Sequence, residues 1–298
     1  PQPQWYTGMM KINFCILFLF LITAACNSDQ QGGLVFEEKG RPVPEFSADS
    51  AYAFIQEQVD IGPRYPNSEG QQQVQDYLGA KLRSYAGAQL VFTQDFTADG
   101  YDGQSMSLSN IIASFNPNAA DRIMIAAHYD TRPRADEDAD HPEEPILGAD
   151  DGGSGTGVIL ELARLFSSQT PPVGVDVILF DGEDYGESGD LDNYFLGSRY
   201  WAQNPPVPGY KPRFGILLDM VGGKGAVFPK EEYSMTYAPN LVDEIWSIAS
   251  QKGYGDLFLN EQGAGVIDDH VIINRESGIP FIDIIYHRRN LQGGADFA

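Results

Sequence analysis

Histidine and carboxylate side chains follow several short apolar segments of the sequence. His128, the Glu183–Asp184 pair and Asp219 each lie at or just past the end of such a segment, and Asp151 lies within GADDGGSG. If these segments are neighbouring strands, the side chains meet at one sheet edge and repel each other unless a cation lies among them. Nitrogen and carboxylate ligands favour zinc over magnesium or calcium. The pattern therefore predicts a catalytic zinc site.

Two of these positions also have a plain structural interpretation. His128 alone could be a polar group at a strand end, but Asp130 lies two residues on, on the same side of an extended chain, where it could orient the imidazole. Asp151 precedes a predicted helix, so a role as helix cap competes with a role as metal ligand.

The acidic pairs of the sequence leave two alternatives each. Adjacent Glu183 and Asp184 point in different directions, so one could bind a metal while the other transfers protons, or both could belong to a solvated acidic loop. Asp268 and Asp269 precede His270 and could cap a helix with an acidic first turn. In the other interpretation, one of them is a carboxylate that holds a proton.

Strand and helix patterns alternate along the chain. Strands are predicted at residues 90–96, 111–115, 123–127, 175–180, 214–218 and 281–286, and helices after Ser47 or Asp49, after Ser68, and at 153–167, 194–202 and 241–252. Such alternation is typical of a mostly parallel sheet covered by helices on both faces. We therefore predict an α/β fold, a three-layer α/β/α sandwich with a mostly parallel mixed central sheet.

Composition and absent motifs disfavour several classes of function. The 298 residues, 42% of them hydrophobic, are enough for one large domain with a buried core. A formal net charge of −23, from 19 basic and 42 acidic residues, disfavours nucleic acid as a partner. The chain contains neither a G-x-S-x-G nor a phosphate-binding G-x-x-x-x-G-K-[ST] motif, which disfavours serine and nucleotide mechanisms.

The chain resembles the bacterial glutaminyl-peptide cyclotransferases of the zinc aminopeptidase superfamily in six ordered segments. These are AHYDTRPRADED, PILGADDGGSGTGVILELARLF, VILFDGEDYG, LGSRYWAQNP, GILLDMVGG and DDHVIINRESGIPFIDIIYH. The resemblance covers residues 51–287 and implies a zinc exopeptidase-like fold. It also implies conversion of the N-terminal glutamine of peptides or proteins to pyroglutamate, with release of ammonia.

By this resemblance, Asp151 and Asp184 match zinc ligands, Glu183 matches the general base and acid, and Asp268 matches the second catalytic carboxylate. Asp184 stands where many relatives have glutamate. The alternative is a two-zinc aminopeptidase of the same superfamily, in which His128 and Asp219 complete a second metal position. In the interpretation with one zinc ion, His128 and Asp219, like Asp130 and Asp269, contact the ligands without binding the ion themselves.

The N-terminal residues are expected to direct secretion. Met9 or Met10 precedes an apolar run at residues 12–22, and Thr23-Ala24-Ala25 leads to Cys26. This resembles a bacterial lipoprotein signal, although an ordinary secretory signal is an alternative. We predict upstream residues and signal peptide at 1–26, a lipid on Cys26, a tether at 27–45 and the catalytic domain at 46–298. The protein would then lie in the bacterial cell envelope, in the periplasm or at the outer membrane.

The resemblance stops at His287. Relatives have a later histidine as the third zinc ligand, followed by a final helix, whereas this sequence continues RRNLQGGADFA. His287 lies near the last predicted strand and is a poor match for that ligand, although it is an alternative third ligand. We expect a truncated or frame-shifted C-terminus, and a chain ending there should bind zinc weakly and be catalytically impaired.

Overall fold

The computed structural model describes residues 42–187 and 189–297. The predicted signal peptide, the predicted lipidation site Cys26 and residues 27–41 of the predicted tether lie outside these ranges. Within them, no helix combines the length and apolar character needed to cross a bilayer.

Strands and helices alternate through most of the described chain. The strands are β1 Val91–Asp99, β2 Ser105–Phe115, β3 Arg122–His128, β4 Gly174–Phe180, β5 Gly215–Asp219, β6 Phe228–Lys230, β7 Phe258–Gln262, β8 Phe281–Ile285, β9 Arg288–Arg289 and β10 Ala295–Asp296. The α-helices are α1 Ala48–Ile61, α2 Glu69–Ala86, α3 Gly153–Ser168, α4 Leu196–Gln203, α5 Glu232–Tyr237, α6 Pro239–Gln251 and α7 Asp269–Ser277.

Six of these strands form the central sheet, in the order β1-β2-β4-β3-β5-β8. Strands β4, β3, β5 and β8 are parallel to one another, whereas β2 pairs antiparallel with β4 and β1 pairs antiparallel with β2. Every residue of β4 is buried, as expected for a strand covered on both faces. The predicted mostly parallel mixed sheet is confirmed.

Helix α3 packs closely on one face of the sheet. A Cβ atom at Gly155 would lie 2.0 Å from the carbonyl oxygen of Leu218 on β5 and 3.0 Å from Cβ of Ala127 on β3. Only glycine permits this approach, so Gly155 sets the distance between α3 and the ends of β3 and β5.

The opposite face of the sheet carries a second helical layer. Ala126 and Leu217 precede Ala127 and Leu218 along their strands, so their side chains point to the other face. They belong to a buried cluster with residues of β2, β3, β4, β8, α4, α7 and the segment before β8, namely Ile112, Met124, Ile178, Phe180, Trp201, Ile273, Ile279 and Phe281. The predicted three layers are therefore confirmed.

Local sequence explains where the first two helices begin. The side chain of Ser47 accepts a hydrogen bond from the N–H of Ser50, and that of Ser68 accepts from the N–H of Gln71. Helix α1 ends at Gly62, which adopts a positive φ of 99°. The prediction of Ser47 and Ser68 as caps is confirmed.

Helix α3 begins without a side-chain cap. Its N-cap residue is Gly152, with a φ of 78° and no side chain to accept a hydrogen bond. The alternative interpretation of Asp151 as the cap of this helix is therefore wrong. Asp151 lies one residue outside the cap, and its carboxylate is directed to other partners.

Several short elements were not predicted. Helix α5 and the parallel pair β6–β7 lie between β5 and α7. Helix α4 starts at Leu196, two residues later than predicted, because Phe195 adopts a left-handed conformation with φ 60°.

Candidate metal and proton-transfer site

The predicted site residues meet at one edge of the central sheet. His128 is the last residue of β3 and Asp219 the last of β5, and the two strands are parallel neighbours. The Glu183–Asp184 pair lies in the loop that follows β4, the other parallel neighbour of β3. Asp151 lies just before α3. We call these five residues, His128, Asp151, Glu183, Asp184 and Asp219, the sheet-edge cluster.

His128 lies at the centre of the sheet-edge cluster. Its Nε2 atom is 3.0 Å from Asp151 Oδ1 and 3.3 Å from Asp219 Oδ1, and its Nδ1 atom is 3.8 Å from Glu183 Oε2. Two sets of three donor atoms can be drawn, each within 4.8 Å of one another: His128 with Asp151 and Asp219, and Asp151 with Glu183 and Asp184. Asp151 belongs to both sets.

Asp130 holds the loop that carries the acidic pair. This fully buried carboxylate accepts hydrogen bonds from the backbone N–H groups of Glu183 and Asp184, both at 3.1 Å. Its Oδ1 atom also lies 3.4 Å from His128 Nδ1. The carboxylate predicted to orient the imidazole thus also links the end of β3 to the loop after β4.

Burial and mutual repulsion keep protons on part of this cluster. Burial, followed by the charges of neighbouring carboxylates, raises the pKa of Glu183 and of Asp184 well above the ordinary value. Burial raises the pKa of Asp219 to about 7. Such sites ionise readily only when positive charge is supplied nearby.

Two side chains supply positive charge beside the carboxylates. Burial alone would lower the pKa of His128, but Glu183, Asp130, Asp151 and Asp219 together raise it well above its ordinary value. Arg132 Nη1 donates a hydrogen bond to Asp184 Oδ1 at 2.8 Å. Negative charge still outweighs positive charge in this region.

Arg64 is a further cation that sequence reasoning missed. It is fully buried, and its guanidinium donates to backbone carbonyl oxygens, including those of Tyr129, Leu147 and Gly148. Its charge helps to lower the pKa of Asp151, against the effect of desolvation and together with His128 and Arg132. A single arginine after Gly62-Pro63 gives no sequence signal for this role.

The chemistry of the donor set fits a divalent cation. The cluster offers one imidazole and four carboxylates, a combination that zinc accepts. Burial and then repulsion between the carboxylates raise the pKa of Glu183, Asp184 and Asp219, and a cation among them would offset that repulsion. The Asp151 side chain is 44% exposed, so solutes reach the cluster from its side.

Asp268 and Asp269 lie at the N-terminus of α7. Asp268 is the N-cap residue, and its Oδ1 atom accepts a hydrogen bond from the N–H of Asp269, so the cap interpretation is confirmed. Asp269 accepts a hydrogen bond from the hydroxyl group of Ser198 on α4. The charges of both residues contribute to the raised pKa of Glu183, which places them beside the sheet-edge cluster.

His287 contacts backbone atoms through both of its ring nitrogens. Its Nε2 atom lies 3.1 Å from the backbone nitrogen of Ala264, which donates a hydrogen bond to it. Its Nδ1 atom lies 3.2 Å from the carbonyl oxygen of Ile285. Within the described residues, His287 belongs to none of the groups whose geometry suits a metal ion.

Comparison with protein-family models gives one match. Residues 110–294 match the model of peptidase family M28. This segment contains all five residues of the sheet-edge cluster and Asp268.

Curated relatives and solved structures agree with that match. The chain is 31% identical over 204 residues to the glutaminyl-peptide cyclotransferase of Gloydius blomhoffii, an alignment that covers 58% of this chain and 53% of the relative. The chain thus spans about half the length of the curated relatives it matches first.

Among solved structures, glutaminyl cyclase from Bacteroides thetaiotaomicron bound to N-acetylhistamine has a TM-score of 0.80 and 45% identity, covering 85% of this chain and 88% of that one. A Zn-dependent exopeptidase from Parabacteroides distasonis has a TM-score of 0.81 and 42% identity, covering 86% and 90%. The resemblance stated from the sequence motifs, and the zinc exopeptidase-like fold that it implies, are confirmed.

Proposed function

Because the chain belongs to peptidase family M28, we propose that it is a zinc-dependent glutaminyl-peptide cyclotransferase. It converts the N-terminal glutamine of peptides or proteins to pyroglutamate and releases ammonia. The observation that carries this proposal is the convergence of Asp151, Glu183 and Asp184 within 4.8 Å at the open edge of the sheet. The similarity to a glutaminyl cyclase at 45% identity supports the choice of reaction.

Asp151 and Asp184 would hold the zinc ion, and His128 and Asp219 are further donors beside Asp151. When bound, zinc supplies a Lewis acid that makes the side-chain amide carbon of the substrate glutamine more electrophilic. Asp130 holds the backbone of Glu183 and Asp184, so one loop presents a ligand and a proton-transfer group together. Arg132 fixes one oxygen of Asp184.

Glu183 is the group that moves the proton. The substrate amine forms a bond to the side-chain amide carbon of the same residue, and the bond from that carbon to the amide nitrogen breaks. The Glu183 carboxylate accepts the proton that the amine loses and delivers it to the departing nitrogen, which leaves as ammonia. Glutamine is thereby converted to pyroglutamate and ammonia without consuming water.

Asp268 acts beside Glu183 as the second catalytic carboxylate. It is 4% exposed, and its charge raises the pKa of Glu183. A raised pKa brings a carboxyl group nearer to neutral pH, where it can both accept and return a proton. Its position at the start of α7 fixes its Oδ1 atom on the Asp269 N–H.

The full chain, loaded with zinc, tests this proposal with three peptides: one with N-terminal glutamine, one with N-terminal leucine, and one with an acetylated N-terminal glutamine. We expect ammonia and a pyroglutamyl product from the first peptide alone. The acetylated peptide is the matched control, because its blocked amine cannot attack the side chain. Release of free leucine without pyroglutamate formation would reject the cyclotransferase assignment.

A two-zinc aminopeptidase is the second candidate, because Asp151 is shared between two donor sets. In that case His128 and Asp219 would hold a second ion, and the similarity to a Zn-dependent exopeptidase at 42% identity supports this arrangement. Metal analysis distinguishes the two candidates. Two zinc ions per chain, one of them lost in His128→Asn, together with leucine release, would favour the aminopeptidase.

We further propose that a lipid on Cys26 anchors the enzyme in the bacterial cell envelope. The apolar run at residues 12–22 and the small residues before Cys26 support this proposal. Cells expressing the full chain would be extracted with detergent and the protein's partitioning measured. Cys26→Ala should move the protein to the aqueous phase, whereas Cys15→Ala, the matched control, should not.

A further inference from the structure

A second group of buried polar side chains lies behind Asp268. It consists of Glu231, His270 and Asp283, each of them 0% exposed, and we call it the sealed cluster. Asp283 lies in the middle of β8, whose other residues are Phe281, Ile282, Ile284 and Ile285. A carboxyl group buried in an apolar strand is costly unless it is neutral or bonded.

Glu231 anchors the sealed cluster through backbone hydrogen bonds. Its Oε1 atom accepts from the N–H groups of Tyr233 and Val266 at 2.9 Å, and its Oε2 atom accepts from the N–H of Ser234 at 2.6 Å. Despite the opposing effect of burial, His270 and then the backbone bonds from Ser234 and Val266 lower the pKa of Glu231 to about 2. Glu231 is therefore a fixed negative charge.

His270 joins Glu231 to Asp283. Its Nε2 atom lies 3.1 Å from Glu231 Oε2, and the ionised Glu231 offers only acceptors, so Nε2 carries the hydrogen. Its Nδ1 atom lies 3.7 Å from Asp283 Oδ2. A histidine with one ring nitrogen fixed in this way presents the other nitrogen in a single direction.

Asp283 lies close to Asp268, and both residues have buried oxygen atoms without a bonding partner among the described residues. Both Asp283 oxygens and Asp268 Oδ2 are buried without hydrogen bonds to any residue that the structure describes. One donor atom from each of Asp268, His270 and Asp283 lies within 4.8 Å of the others. Two carboxyl groups placed in this way form a hydrogen bond only when one of them carries a proton.

We propose that Asp283, packed against the Glu231–His270 pair, is a positioning residue that donates a hydrogen bond to Asp268 and holds that carboxylate in one orientation. The inference rests on the proposed function, in which Asp268 is a catalytic residue. Asp283 acts through Asp268 and touches no substrate. The charges around Asp283 support its neutral form, because burial and then Asp268, Asp219 and Glu231 raise its pKa well above the ordinary value.

The test compares full-length, zinc-loaded variants. Asp283→Asn keeps a hydrogen-bond donor of the same shape, so its kcat should stay within about threefold of the wild-type value. Asp283→Leu removes the donor and should lower kcat by about 10- to 100-fold with little change in KM, less than the loss expected for a general acid or base itself. In an Asp268→Asn background, Asp283→Leu should cause no further loss, because its effect passes through Asp268.

An infrared difference spectrum provides a readout that does not depend on activity. Wild type minus Asp283→Asn should show the carbonyl band of a protonated carboxylic acid that shifts in deuterated water. Absence of this band would overturn the inference even if the enzyme makes pyroglutamate. If the band is present but the enzyme forms no pyroglutamate, Asp283 does carry a proton. The catalytic role of Asp268 and the proposed function would then be rejected.

Two other results would also overturn the inference. An equal loss of kcat from Asp283→Leu in both backgrounds would mean that Asp283 acts on folding rather than through Asp268. A zinc ion that disappears in both Asp283→Asn and Asp283→Leu but persists in Asp151→Asn would mean that the sealed cluster binds a cation instead of a proton.

Discussion

The sheet-edge cluster and the sealed cluster contain the same residue types but balance their charge differently. At the sheet edge, the carboxylates face His128 and Arg132, and Asp151 is 44% exposed. In the sealed cluster, backbone N–H groups and His270 stabilise Glu231 as an anion, and every side chain is fully buried.

This difference separates the two roles. An accessible group with unbalanced negative charge is suited to exchange ions and substrate with solvent. A sealed group whose hydrogen bonds are fixed is suited to hold a neighbouring side chain in place. Charged residue types alone therefore do not identify a metal site, because their access and their partners decide what they do.

The largest effect should come from Glu183, the proton-transfer group of the sheet-edge cluster. Glu183→Gln should lower kcat for a glutaminyl peptide by about 10²- to 10⁴-fold, because glutamine cannot accept the proton. The zinc content should remain near the wild-type value. Glu187→Gln, an exposed position in the same loop, is the matched control. A Glu183→Gln variant as active as this control would show that proton transfer occurs elsewhere.

The next largest effect concerns stability in the sealed cluster. The pKa of Glu231 is about 2 in the folded protein against 4.5 for the free side chain, so ionisation stabilises the fold by about 3 kcal/mol above pH 4.5. This contribution is lost as the pH falls from about 4.5 through 2.

Glu231→Gln should therefore lower the free energy of unfolding at pH 7 and flatten its dependence on pH in that acid range. Denaturant titrations at several pH values measure this change. Glu232→Gln, an exposed neighbour, should behave like the wild type. Parallel pH curves for Glu231→Gln and wild type would contradict the assigned charge.

Zinc removal should affect the sheet-edge cluster and leave the sealed cluster unchanged. Zinc at 100 times its dissociation constant should stabilise the fold by about 2.7 kcal/mol, an effect that a chelator reverses. Thermal unfolding with zinc, with magnesium as the control ion, and with chelator measures it. An equal melting temperature in all three conditions would argue against a zinc site.

The smallest of these effects should come from Asp130, which supports the cluster from outside. Asp130→Asn removes one of the two acceptors that hold the Glu183–Asp184 backbone and should weaken zinc binding by about 10- to 100-fold. Competition with a chromophoric chelator gives the affinity, and Asp140→Asn, exposed in the following segment, is the control. Unchanged affinity in Asp130→Asn would mean that the loop is held by other contacts.

The sequence predicts the central sheet and the edge at which the site residues lie. Short apolar strands that end at His128, before Glu183 and at Asp219 indicate both the topology and the location of the carboxylates. The distances within the cluster follow from parallel pairing, which the alternation of strands and helices already implies. The roles of Asp151 and Asp184 as ligands stay predictions.

The sealed cluster could not be predicted in the same way. Glu231 meets His270 because α5 and α7 pack together, and no spacing in the sequence encodes that contact. Asp283 is the one charged residue of an apolar strand. This is a weak signal, because the same pattern fits an ordinary polar strand residue equally well. The positive φ of Phe195 likewise could not be predicted from its residue type.

The close approach at Gly155 bears on which ion the proposed site could accept. Helix α3 starts just after Asp151, and it touches β5 at Leu218, the residue before Asp219. The backbone contact at Gly155 therefore sets the distance between the segments that carry Asp151 and Asp219. If Asp151 and Asp219 bind a common ion, a larger residue at position 155 would change their spacing and with it the radius of the ion that they hold best.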